Sequence, residues 1–463
     1  MTSSASTESE TPRNHVRESP VTVAILGAGA AGLTAARHLC ELPGVQTDIF
    51  ESADRIGGLL HSVDIDGLHF DVGTFLFFDG HSLLKSFPFL QESFVPFRYQ
   101  PESVTPSGTF DVYPFTLGRF LKDHGVLSTA AGMGSLLAGK VRYRSYTTLP
   151  DFGRYYLGNV FYEQTGLRRY IHRLHDLPDT EIDLEFAANR LDAVSRQSIR
   201  AILSRQAQRL RAKLLRRPLP KPRQRLVRPA AGLPEVFQRI ENHLEARGVR
   251  IQTDCRIRSV RRVNGRFHIQ GDGIDGWYDR IVSTIPIPMM LRLIGQEPST
   301  PVTTRSLVSL FYRGQIRNAA QIYFNFTQEA RWKRITVFSK FYGQPKPDTD
   351  YFTVEITTSD PDSDSDLIRE LHQEFEKHGL AVGLLKCPPE LLGSYVTPDA
   401  YPVYLSGQLP EIEAEKQKLR DFGIDIVGRQ GSFEYLISHF IAGQARTLAE
   451  TMQQQLTPDR VGD

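Results

Sequence analysis

Apolar and polar positions follow different rhythms in different parts of this chain. Val21–Leu26 (VTVAIL) is a short apolar, β-branched run, the pattern of a strand covered on both faces. Gly-Ala-Gly-Ala-Ala-Gly follows at 27–32, then a helix-favouring stretch at 33–41 and a second strand pattern, Val45–Phe50, ending on Glu51. This order predicts a βαβ unit. Hairpin-like segments follow around 62–71, and 94–152 is aromatic and Gly-rich with no single period. Between 191 and 214 apolar residues fall at Leu191, Val194, Ile199, Ile202, Leu203, Ala207, Leu210 and Leu214, a helical spacing ended by Pro218, Pro220 and Pro222. A second α-then-β pattern places a helix at 233–247 and strands at 249–253, 256–263, 266–270 and 280–285, the last returning to the first sheet. Residues 306–312, 321–326 and 351–357 predict strands of a separate antiparallel sheet, and 431–455 predicts a closing helix.

Composition narrows the class. The 463 residues include 36 Gly and 28 Pro without a repeat period, which excludes collagen and coiled coil. Lys plus Arg number 55 against 53 Asp plus Glu, so any basic surface is local and a general polyanion binder is excluded. Cys40, Cys255 and Cys387 lie far apart with no CxxC, which fits a reducing, cytoplasmic compartment and points to no metal site. Residues 1–19 are polar and are expected to form a disordered tail. The uncharged run 125–139 is shorter than the roughly 20 apolar residues a spanning helix needs, so no transmembrane helix is expected.

GxGxxG occurs twice. Gly271-Asp-Gly-Ile-Asp-Gly276 lies between short strands and leads into Trp277 rather than a helix, so it is expected to be a hairpin turn. The first match follows a buried strand, opens a helix, and has an acid about 20 residues on. Gly27 permits the tight turn, Gly29 lets backbone approach a pyrophosphate, and Gly32 lets the helix pack on the strand. Ala30 and Ala31 sit in the first turn, whose N–H groups face the phosphates, and Glu51, with Ser52 beside it, is placed for a ribose.

Which dinucleotide follows from the next residues. Arg55-Ile-Gly-Gly-Leu59 resembles the FAD-dependent amine oxidase and protoporphyrinogen oxidase superfamily, whose Gly pair passes the flavin phosphate; this chain has Leu59 where the family often has Arg. The resemblance extends to 67–73, running into the flavin ring face at Gly73 and Thr74, to a strand pair near Ile257 that brackets the adenine, and to Gly428-Arg429 before a closing helix. It implies FAD as cofactor and an α/β fold: a Rossmann-type, GR2-like FAD domain with an interleaved α+β substrate domain. The expected division is 20–93, 229–300 and 395–463 for the FAD domain, and 94–228 and 301–394 for the substrate domain.

Within that superfamily the chain is most similar to the branch containing UDP-galactopyranose mutase. Carried over by resemblance, Arg334, Tyr401, Arg429 and Tyr435 would surround an anionic, phosphate- or sugar-bearing substrate beside the flavin. The chain departs from the mutase at Phe75 and Phe78, which replace two histidines, and at 170–175, which lacks a Lys-Gln-Trp run. An apolar flavin neighbourhood favours hydride transfer to N5, so the expectation is an FAD-dependent oxidoreductase, the alternative being a non-redox isomerase of a nucleotide sugar. No catalytic acid or base is assigned: His61, His69, His172, His175 and Lys340 read as structural or exposed. The lysine that amine oxidases hold near N5 has no evident counterpart, since Arg305 and Arg313 occupy the matching strand.

Charge is uneven along the chain. Twelve Lys or Arg lie between Arg196 and Arg228, with no acid from 193 to 234. A solvated helix face, peripheral contact with an anionic membrane through 196–228, and steering of an anionic substrate are the readings left open; nucleic acid is not expected.

Overall fold

The computed structural model describes residues 20–190, 224–317, 319–360 and 364–456. Five strands form a parallel sheet in the order Arg250–Gln252, Val45–Phe50, Val21–Leu26, Arg280–Ser283, Ile424–Ile426. A parallel sheet needs cover on both faces, and Val23, Ala24, Ile25, Ile281 and Val282 are fully buried. Helix Gly232–Glu245 contributes to that cover with Leu233, Val236, Phe237, Ile240 and Leu244, an i, i+3, i+4, i+7 stripe. The second GxGxxG match is the predicted turn: Arg266–Gly271 and Ile274–Tyr278 pair antiparallel across it, with Gly273 at φ +72°.

A seven-stranded sheet stands beside it, ordered Glu390–Pro402, Thr304–Gly314, Asp350–Thr358, Trp332–Val337, Ile322–Asn325, Glu102–Val104, Phe110–Val112. Period-two alternation gives this sheet two different faces. Val308, Leu310, Val354, Ile356 and Ile335 pack with Leu371 and Phe375 of helix Ser365–Ala381. The alternate residues meet the 71–74 segment: Ser309 Oγ donates to the Val72 carbonyl at 2.5 Å, and Thr353 Oγ1 to that of Asp71 at 3.0 Å.

Three expectations change. The second sheet is mixed rather than antiparallel, because Ile322–Asn325 runs parallel to Glu102–Val104, a strand supplied by the aperiodic 94–152 region. That region also holds strands Val95–Phe97 and Phe110–Val112, helix Leu117–Arg142 and the start of helix Leu149–Gln164. The closing helix is broken: one turn at Gly428–Gly431 is followed by a loop and only then by helix Ser438–Leu456. The loop is held by Tyr435 N–H donating to Tyr404 Oη at 2.6 Å and by Arg429 donating to the Leu436 carbonyl at 2.6 Å. The expected boundary at 394/395 falls inside strand Glu390–Pro402, which stays paired with Thr304–Gly314 as far as Pro402.

The predicted helix at 191–214, and most of the basic segment, lie outside the described residues. Its C-terminal end is not a solvated face. Arg225–Val227 is a strand between Phe77–Phe78 and Val95–Phe97, and Arg228 is fully buried. Its Nε donates to Asp71 at 2.6 Å and its Nη2 to the His69 carbonyl at 2.6 Å, under the ring of Tyr342. Among the described residues no helix is long and apolar enough to cross a membrane.

Candidate FAD and substrate site

The strand–loop–helix at 21–39 builds the cradle. Gly27 has φ +102°, and a side chain on Gly32 would overlap the Gly27 carbonyl, so both positions require glycine. Gly29 caps helix Ala30–Leu39 without any side-chain hydrogen bond, and no acid occupies the first turn. The first-turn N–H groups, including those of Ala30 and Ala31, have no intrahelical acceptor and suit a phosphate. Glu51 ends the second strand with one carboxylate oxygen accepting from Ala28 N–H at 2.8 Å and the other from Ala53 N–H at 2.9 Å and from Ser52 Oγ at 3.4 Å.

Gly57 and Gly58 close over this loop. Gly57 N–H donates to the Ala28 carbonyl at 2.9 Å, and a Cβ on Gly58 would stand 3.0 Å from Gly29 Cα. Leu59 is half-buried in the same turn. Gly428, at φ +89°, meets the other side: a Cβ there would stand 2.7 Å from that of Ala31. Ile257 is half-buried at the start of its strand, just after Cys255, whose N–H bonds the Glu51 carbonyl at 2.8 Å. Thus Gly27, Gly29, Gly32, Glu51, Gly57, Gly58 and Gly428 converge from four separate chain segments, and the set fits a dinucleotide.

Where 71–75 crosses to the seven-stranded sheet, Gly73 packs near Phe75 and Leu307, while Thr74 enters a polar cluster. Arg334 Nε and Nη2 donate to the two oxygens of Glu355 at 2.8 and 2.7 Å, and Thr74 Oγ1 donates to Glu355 at 2.6 Å. Lys333 Nζ lies 3.8 Å from Glu355 and 4.1 Å from the centroid of Tyr401. A shift of register between Trp332 and Arg334 puts the two cations around one carboxylate. Burial alone would raise the Glu355 pKa, but Arg334 and Lys333 hold it below the ordinary value. Burial raises that of Tyr99, although Arg334 and Arg225 oppose the shift.

Tyr401 and Tyr435 lie nearly parallel, with centroids 5.5 Å apart and planes 13° from one another. Arg429 stands 5.6 and 5.9 Å from these rings, while its guanidinium donates to the carbonyls of Leu436 and Ala400. The expected grouping of Arg334, Tyr401, Arg429 and Tyr435 is therefore largely present, but both arginines are engaged by acceptors of the protein itself. Phe78 turns instead toward His439 and His81, at 4.8 and 5.3 Å. His175 is buried on Phe186, His172 is exposed, and Arg305 Nε donates to the His175 carbonyl at 2.5 Å.

Lys333, Glu355 and Thr336, whose Oγ1 lies 2.5 Å from that of Thr74, were not among the predicted site residues. The available signal was a single acid in the apolar run Tyr-Phe-Thr-Val-Glu-Ile-Thr and a Lys-Arg pair inside a second strand pattern, charges that a buried strand admits only when paired.

Residues 30–366 match the family described as flavin containing amine oxidoreductase. The chain belongs to this family. Its cofactor is FAD, in agreement with the geometry of the cradle. A 1-hydroxycarotenoid 3,4-desaturase of Flavobacterium sp. (strain P99-3) is 36% identical over 75 residues, which is 16% of this chain and 15% of that protein. The chain thus spans about 15% of the length of this curated relative. In overall fold it is similar to a putative protoporphyrinogen oxidase from Exiguobacterium sp. 255-15, with TM-score 0.71 and 16% identity over 94% of this chain and 99% of the other. It is also similar to reduced UDP-galactopyranose mutase, with TM-score 0.72 and 17% identity over 95% of both chains. At such identities the two likenesses concern the fold.

Proposed function

We propose that this enzyme oxidises or desaturates an organic substrate, a hydride passing from a substrate carbon to the flavin. Bound FAD supplies the acceptor, N5 of the ring system. The chain binds, orients and excludes water: Gly73, Phe75 and Leu307 form an apolar patch, and Tyr401 and Tyr435 form a stacked aromatic wall. Thr74 joins the Glu355 cluster to that patch and is placed to orient a polar group of the substrate. The interleaved division into an FAD domain and a substrate domain belongs to the same proposal.

The observation that carries this reading is the engagement of the two arginines. A diphosphate would have to draw Arg334 from a bidentate bond to buried Glu355, and Arg429 from two carbonyls. That is a large penalty for a nucleotide-sugar isomerase and none for an uncharged C–H donor. The local similarity to a hydroxycarotenoid desaturase adds polyenes to amines as substrate classes to screen. The test is anaerobic titration of the oxidised holoenzyme with such a panel. Bleaching of the flavin by a substrate, without added reductant, is expected. Turnover of a nucleotide sugar only after pre-reduction, with no substrate able to bleach the flavin, overturns the proposal.

A further inference from the structure

We propose that the outer face of 126–142, the part of helix Leu117–Arg142 that follows the kink at Gly125, docks onto an anionic lipid surface, lying in its plane. The inner face is fixed by close glycine contacts: a Cβ on Gly132 would stand 2.5 Å from the Phe161 ring, and one on Gly139 2.5 Å from the Arg154 carbonyl. That packing orients the opposite face outward, and it is apolar. Val126, Leu127, Leu137 and Val141 are 73%, 87%, 62% and 82% exposed, and Leu121 and Met133 are exposed with them. Val126, Ala130, Met133, Leu137 and Val141 follow the i, i+4, i+7 spacing of one helical stripe. A surface helix with one face buried ordinarily turns polar residues outward; here 124–139 contains no Lys, Arg, Asp or Glu.

Charge selects the occupant. Residues 117–150 hold five cations, Arg119, Lys122, Lys140, Arg142 and Arg144, against the single acid Asp123. Asp123 is neutralised by Arg119 at 2.8 Å and accepts from Ser107 and Thr109. Lys122 precedes the kink at Gly125 (φ +79°), and Arg142 and Arg144 follow the uncharged stretch, while Lys140 is half-buried with its Nζ 3.8 Å from the centroid of the Tyr155 ring. The cations flanking the stripe can meet headgroups while the stripe enters the acyl boundary. Cations at both ends suit a helix lying flat. The stretch is separate in sequence from 196–228, and the proposal rests on no assumption about the reaction.

The test is co-sedimentation of the full-length holoenzyme with vesicles of phosphatidylcholine alone or mixed with phosphatidylserine. Binding to the anionic vesicles is expected, at least tenfold tighter than to neutral ones. The pair Leu127→Glu and Leu137→Glu should weaken it at least tenfold while flavin absorbance and thermal midpoint stay unchanged, and Arg142→Glu with Arg144→Glu should weaken it in an independent, salt-dependent way. No anionic-vesicle binding at low salt, or binding unaltered by the Leu pair, overturns the proposal. So does a dimer in light scattering that the Leu pair abolishes, which would make the face a contact between copies of this chain.

Discussion

Replacing Arg334 by Met removes both guanidinium bonds from a carboxylate with no solvent exposure. Unit charges about 4 Å apart at an effective dielectric near 20 attract by roughly 4 kcal/mol, and deleting one partner of a buried pair costs about 3–5 kcal/mol. Lys333 at 3.8 Å and Thr74 at 2.6 Å remain, so the lower end, about 3 kcal/mol, is expected. The pH dependence gives the prediction its sign. In the native protein Glu355 is held below its ordinary pKa, so its contribution is present above the unfolded value and is lost as pH falls through the folded one. Without Arg334 the strongest influence opposing burial is gone and only Lys333 and Thr74 remain, so the folded pKa is expected to rise above the unfolded one. The deficit of Arg334→Met is then full near pH ~8 and shrinks toward pH ~5, as the carboxyl takes up a proton more readily folded than unfolded. Urea unfolding of the holoenzyme, followed by flavin fluorescence and circular dichroism, measures it. The double variant with Glu355→Gln should recover at least about 2 kcal/mol of the summed single costs. A deficit below about 1 kcal/mol, or one equal at both pH values, would refute the account of a buried, mutually dependent pair.

Gly32→Ala should yield folded protein with at least a tenfold lower flavin-to-protein absorbance ratio, because the added methyl overlaps the Gly27 carbonyl and displaces the phosphate loop. Glu51→Gln should weaken FAD binding by about 1.5–3 kcal/mol, read by flavin fluorescence on dilution, since charged acceptors hold the N–H groups of Ala28 and Ala53. His81 is fully buried, its pKa pushed down to about 3 by burial and His439, and its Nδ1 accepts from Leu83 N–H. Between pH ~6.5 and ~3 the unfolded chain binds a proton that the folded chain refuses, so stability falls with pH by up to about 1.4 kcal/mol per unit; His81→Asn should flatten that slope in acid unfolding curves. Arg228→Met should destabilise by about 3–5 kcal/mol through unpaired Asp71, and Arg228→Lys by less.

The cofactor half of the molecule was legible because its constraints are local. Gly27, Gly29 and Gly32 sit within six residues, and the positive φ of Gly27 and the close approach of Gly32 to the Gly27 carbonyl are both local. The same holds for the hairpin at Gly273 and the stripe of helix Gly232–Glu245. What escaped depends on distant partners. The 94–152 region has no single period because three short strands, a helix kinked at Gly125 (φ +79°) and the start of a second helix share it. The closing helix was placed too early because helical spacing continues through 432–437, whereas the bonds that interrupt it come from Tyr404 and Ala400.

The substrate side shows the same limit in its sharpest form. A sequence displays donors without their acceptors: Arg334 and Arg429 look equally available for a ligand, and only register reveals that Arg334 faces Glu355 across an antiparallel pair. Arg228 makes the point from the other direction. It closes a run of twelve cations for which a solvated face was one open reading, yet it is fully buried on Asp71, the last residue of the 62–71 hairpin. Counting charge along a chain therefore overstates both its surface and its ligand capacity wherever an acid 21 or 157 residues away completes the pair. For this enzyme the correction has a direction: each arginine shown to serve the fold removes a reason to expect a phosphate, and strengthens the case for a substrate held by apolar and aromatic surface.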